Sequence, residues 1–118
     1  MERETINKLT TSLNEIRNIK YISTFVIIKR DDTSVWDIVI GGPNLDTQEN
    51  LIQIANILKK FLEPNELRNF SRIVLLNSTD NFITNIKKAF SVESGDLKIQ
   101  NTQINNIFIK DAYLLYSK

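Results

Sequence analysis

The sequence predicts an α/β fold bordering on α+β. It reads as a single globular domain over residues 1–118, a mixed five-stranded sheet with three helices in the order α-β-β-α-β-α-β-β. Three observations carry this expectation. Short apolar runs rich in Ile and Val are bounded by Asn, Asp, Ser and Gly, the punctuation of strands. Between them lie stretches with apolar residues three and four apart, the period of an amphipathic helix. A chain of 118 residues with 42% hydrophobic and 25% charged content also suits one ordinary core.

Residues 2–18 form the first helix, with Ile6, Leu9, Leu13 and Ile16 in a narrow stripe. So short a stripe is expected to lie on the protein's own sheet rather than on a partner helix. Residues 22–30 and 35–41 then flank Asp31-Asp32-Thr33-Ser34, which predicts a hairpin. With Arg30 facing Val35, Lys29 falls opposite Trp36 and Ile28 opposite Asp37. One face of this hairpin carries Phe25, Ile27, Trp36, Ile38 and Ile40; the other carries Val26, Ile28, Val35 and Val39. Both are apolar, so cover is expected on both sides.

The second helix spans residues 46–62, with Leu51, Ile54, Ala55, Leu58, Phe61 and Leu62 inward. Asp46 and Glu49 have capping-box spacing, and Pro64 stops the helix. A further turn of helix over residues 65–69 would be seated by Leu67. Residues 70–77 contain the unbroken run Ile73-Val74-Leu75-Leu76, which predicts a central strand buried on both faces. Residues 80–90 form the third helix, with Phe82, Ile83, Ile86, Ala89 and Phe90 inward. Residues 97–104 alternate, Leu97 and Ile99 against Lys98 and Gln100, as a half-exposed strand near an edge does. Asn105-Asn106 turns the chain into a last strand over residues 107–116. Helices between strands two, three and four predict parallel neighbours with right-handed crossovers; the terminal pairs should be antiparallel hairpins.

Composition narrows the chemistry. The chain has no cysteine and no histidine, which removes disulfides, thiol nucleophiles, thiolate metal sites and the commonest general base. No apolar run reaches membrane-spanning length and no signal-peptide core is present, so a cytoplasmic protein without membrane association is expected. A net charge of +1 gives no field for nucleic acid; only Lys59-Lys60 and Lys87-Lys88 on two adjacent helices would make a weak patch. Abundant Ile, Asn and Lys suggest an AT-rich genome, bacterial or phage.

The strand exits are the natural place to look for a ligand in an open α/β sheet. Gly41-Gly42-Pro43-Asn44-Leu45-Asp46 lacks the lysine of a phosphate loop and the third glycine of a dinucleotide fingerprint. Turning and capping account for most of it, as they do for Asn77-Ser78-Thr79-Asp80. The functional alternative at exits 41–46 and 77–80 is that Asn44, Asp46, Asn77, Ser78 and Asp80 converge around a divalent cation or polar ligand. Asp37, inside an apolar strand, is read as ion-paired with Arg30. Asp96-Leu97-Lys98 has the acidic-x-Lys spacing of some nucleases, a reading that needs Asp37 or Glu93 beside it.

No catalytic residue, metal ligand or cofactor motif stands out. The remaining signals concern partners. Trp36 is a core residue or an interface anchor. Tyr113, Leu115 and Tyr116 lie in a terminal strand that, at a sheet edge, would invite a second chain. The sequence therefore points to a non-enzymatic protein-interaction or regulatory domain, such as an accessory subunit, an immunity-type inhibitor or an adaptor. Its partner would be another protein or a second copy in a homodimer. The alternative is a small-molecule or nucleotide-binding module, or a metal-dependent hydrolase, at the strand exits.

Overall fold

A computed structural model describes residues 1–29, 33–104 and 106–118. Helix α1 (Arg3–Ile19) buries Ile6, Leu9, Leu13 and Ile16 against the protein's own sheet, so its stripe is not available to a partner helix. Strands β1 (Thr24–Lys29) and β2 (Trp36–Gly42) pair antiparallel with Lys29 opposite Trp36 and Ile28 opposite Asp37, the register read from the sequence. Phe25, Ile27, Trp36, Ile38 and Ile40 enter the core beneath α1; Val26 and Val39 enter a second core on the opposite face. The hairpin is thus covered on both sides. The turn at residues 30–32, with Arg30 and its expected pairings, and residue 105 of the Asn105-Asn106 turn lie outside the described residues.

Helix α2 (Gln48–Phe61) starts one residue later than the Asp46 cap required. Thr47 is the cap: its hydroxyl oxygen accepts from the Asn50 N–H at 3.1 Å. Leu45 is buried while Asp46 remains exposed, so the hydroxyl rather than the carboxylate takes the capping position. A capping box does form, at the one-turn helix α3 (Pro64–Leu67), where Glu63 and Glu66 cap reciprocally and Pro64 sits in the first turn. The proline that stops α2 therefore starts α3, the helix beyond the three expected. Strand β3 (Phe70–Asn77) follows, then α4 (Asn81–Ala89), whose Asp80 cap accepts from Phe82 N–H at 2.8 Å. Strands β4 (Leu97–Ile104) and β5 (Ile107–Ser117) close the chain as an antiparallel hairpin.

The five strands form one mixed sheet in the order β3-β2-β1-β5-β4. Helices α1 and α2 contribute to the core on one face, and α4 to the core on the other. Two expectations are corrected here. β3 is parallel to β2, but β4 is not parallel to β3: antiparallel steps through β1 and β5 leave it running the opposite way at the far edge. Its place is set by the β5 hairpin, and β5 is held by β1. The other correction concerns which strand is central. Residues 70–77, written like a central strand, form an edge, whereas the terminal strand β5 is interior.

The two glycines at the end of β2 serve close packing rather than a sharp turn. A Cβ on Gly42 would stand 2.4 Å from the carbonyl oxygen of Tyr21, and one on Gly41 would stand 2.6 Å from Ile83 of α4. The left-handed residue of the loop is Asn44, at φ 53°.

Candidate functional site

Because β2 and β3 are parallel neighbours, their exits do open at the same end of the sheet. The Ser78 N–H donates to Gly42 C=O at 3.0 Å and fastens the two exits together. Asn77 Nδ2 lies 3.5 Å from Asn44 Oδ1, while Asn77 Oδ1 accepts from Thr79 N–H at 3.3 Å and lies 3.5 Å from Ser78 Oγ. Asp80 is occupied as the α4 cap. Asp46 stands apart from this cluster, on the rim of a hollow between α2 and β3. The structure brings Asn44, Asn77 and Ser78 together and engages them with one another. Among the described residues, no group of three acidic side chains is arranged to hold a metal ion.

The aromatic interface candidates lie inside. Trp36, Tyr113, Leu115 and Tyr116 are each at most 8% exposed, with Trp36 and Tyr113 rings 5.6 Å apart between centroids. Tyr116 carries the Arg17 guanidinium over its ring at 4.2 Å. The expectation of an interface on these four residues is corrected by topology: β5 lies between β1 and β4, pairing with β1 over residues 112–117 and with β4 over residues 107–114, so Tyr113, Leu115 and Tyr116 are not on a sheet edge.

Among the described residues, the strand order puts β3 and β4 at the two edges of the sheet, and β3 is the one with an unbroken apolar run. Its residues Ile73, Val74, Leu75 and Leu76 are all half-buried. Ile73 and Leu75 pack toward the α1/α2 core, Val74 and Leu76 toward the α4 core. Backbone direction follows from the Ser78–Gly42 bond. Alternate residues of a strand turn their N–H and C=O the same way. Leu76 and Val74 therefore face β2 with Ser78, whereas Asn77, Leu75 and Ile73 point their backbone groups away from the sheet. The register shift between Trp36 and Asp37 confines this alternation to the part of β3 beyond Ser71.

Two hollows run along the α2 side of this strand. One, about 220 Å³, lies between Ala55, Leu58, Lys59, Phe70 and Ile73. The other, about 210 Å³, lies between Asp46, Leu51, Ile73 and Leu75. They exist because the apolar face of α2 is wider than its core needs. Ile54 and Leu58 are buried, but Leu51 and Ala55 are only half-buried above the edge. A third apolar hollow, about 300 Å³ and lined by Val74, Leu76, Phe82 and Ile107, lies on the opposite face.

The charged candidates are tied into the fold. Arg72 Nε donates to Asp37 Oδ2 at 3.2 Å, which gives the strand carboxylate a cationic partner from β3. Asp96 pairs with Arg3 and Glu93 with Lys118, while Asp37 on β2 is separated from β4 by β1 and β5. The acidic-x-Lys reading therefore loses its second carboxylate. Lys59-Lys60 and Lys87-Lys88 belong to helices on opposite faces and form no common patch.

Glu66 is a buried carboxylate that the sequence reading missed. It accepts from Lys8 Nζ at 2.7 Å, Thr5 Oγ1 at 3.1 Å and Glu63 N–H at 2.9 Å. The Lys8 bond first, then the Glu63 N–H, holds its pKa below the usual carboxylate range against the opposing effect of burial. Its signal was present in the sequence as Glu63-Pro64-Asn65-Glu66, a capping pattern around a proline. These contacts lock α1 to α3 immediately before β3. No protein family, curated protein or solved structure matches this chain.

Proposed function

We propose that this chain is a protein-interaction or regulatory domain, not an enzyme, and that it works by strand addition at β3. The observation that carries the reading is the placement of β3, with its four consecutive apolar residues Ile73–Leu76, at a sheet edge, its outward backbone groups bordered by hollows. An extended segment laid there would gain main-chain hydrogen bonds from Ile73 and Leu75 and side-chain contacts from the hollows, the general mode of β-augmentation. A cytoplasmic, bacterial or phage setting, as an accessory subunit, inhibitor or adaptor, belongs to the same proposal. The test is affinity capture from the native host with the wild-type chain and with Ile73→Lys. A protein retained by the first and lost by the folded variant is expected. Equal retention by both would contradict a role for β3.

A second reading places a polar ligand, nucleotide or Mg²⁺ at the strand exits. It is favoured only by the meeting of Asn44, Asn77 and Ser78 at one end of the sheet. A ligand bound solely by the native state raises the melting temperature, so a panel of Mg²⁺ and nucleotides separates the readings. The strand-addition account expects no shift.

A further inference from the structure

Resting on that reading of β3, we propose that the added strand is β3 of a second copy, paired antiparallel about Val74 so that two five-stranded sheets become one. In this register Ile73 faces Leu75 of the second copy and exchanges both backbone hydrogen bonds with it, and Leu75 does the same with Ile73 of the second copy. These are the residues whose N–H and C=O point away from β2. Val74 meets its own counterpart across the two-fold axis. Arg72, whose guanidinium is held by Asp37, lays its stem beside Leu76 of the second copy. Apolar residues thus face apolar ones or an aliphatic stem. A slip by one residue would put facing side chains on opposite sides of the sheet.

Charge supports the same occupant and the same direction. Helix α2 runs back along β3, so Asp46, just before its start, lies by Leu75, and Lys59, near its end, lies by Phe70. An antiparallel pair about Val74 brings the Asp46 hollow of each copy toward the Lys59 hollow of the other. The contact is made twice. The arrangement is also closed, since each copy uses the same patch and no β3 edge is left over. An unrelated peptide would gain the backbone bonds but has no inherent reason to match these charges.

The experiment is sedimentation of the intact chain from about 1 µM to about 1 mM, a range that brackets moderate affinities. A reversible shift from one chain to two is expected. Lys59→Glu should weaken the dimer roughly ten-fold, from two rim pairs turned repulsive, and adding Asp46→Lys should restore it. Both positions are exposed, so the swap does not depend on the core. Leu75→Lys, checked for folding by circular dichroism, should weaken it roughly a hundred-fold or more. A single-chain mass throughout, or a dimer indifferent to all three variants, would overturn the proposal. If the chain stays single yet Leu75→Lys abolishes capture of a host protein, the second copy is ruled out while strand addition stands. If Leu75→Lys changes neither self-association nor capture, both fail.

Discussion

The two edges of the sheet are built differently. β4 exposes Leu97 at its first position, but Lys98, Gln100 and Gln103 occupy exposed positions further along, and Asn101 at φ 48° interrupts its extended backbone. Charges and local distortions of this kind are how natural sheets discourage pairing with another chain. β3 has four consecutive apolar residues, and the only charge within the strand, Arg72, is drawn back to Asp37. One edge is finished; the other is left as though a neighbour were to follow. The difference teaches that an unbroken apolar run can occupy the edge of a sheet as well as its interior.

The comparison can be broken first at its support. Gly42 pairs with Asn77 where β3 leaves the sheet, and a Cβ there would meet the Tyr21 backbone, which cannot move cheaply. Gly42→Ala should cost about 3 kcal/mol in urea unfolding, whereas Gly41→Ala, which crowds the Ile83 side chain rather than backbone, should cost less, about 2 kcal/mol. Equal costs would mean that the β3 exit is not anchored by this close approach.

Acid should separate the edges next. α1 is tied to α3, just before β3, through Lys8 and Glu66, and to the residue before β4 through Arg3 and Asp96, but only the Glu66 clamp is buried. Since Glu66 has a lower pKa folded than unfolded, the unfolded chain takes up its proton more readily. Its contribution is present above the ordinary carboxylate range and is lost as the pH falls through about 4 and below. Glu66→Gln should cost about 1 to 2 kcal/mol at neutral pH and flatten that acid limb. Asp96→Asn should change urea stability less. A larger loss from Asp96→Asn would reverse the ranking of the two ties.

Smaller effects come from the strands themselves. Leu75→Lys should destabilise the single chain by about 1 kcal/mol, because its side chain is half-buried. Lys98→Ile on β4 should change stability by about 0.5 kcal/mol or less while raising aggregation, as removal of an edge guard does. Light scattering that favours the wild type as the stickier protein would sink this view of β4.

Much of the fold was legible because it depends on local pattern. The α1 stripe, the β1–β2 register and both faces of that hairpin follow from spacing alone. Strand order was not legible, since continuous hydrophobicity at Ile73-Val74-Leu75-Leu76 cannot distinguish two neighbouring strands from one neighbour and an open edge. Tyr113, Leu115 and Tyr116 were misplaced for the complementary reason: nothing near the chain's end announces that β1 will pair with it. Of the exit residues, the meeting of Asn44, Asn77 and Ser78 followed from parallel pairing. The Thr47 cap did not, because it turns on Leu45 being buried, a long-range effect.

The most direct measurement is residue-resolved amide hydrogen exchange at low and high protein concentration. The Ile73 and Leu75 amides should exchange quickly when dilute and become protected when concentrated, while amides on the open side of β4 stay fast at both. Protection at β3 that never changes with concentration, or that changes equally on β4, would contradict a second copy seated on the β3 edge.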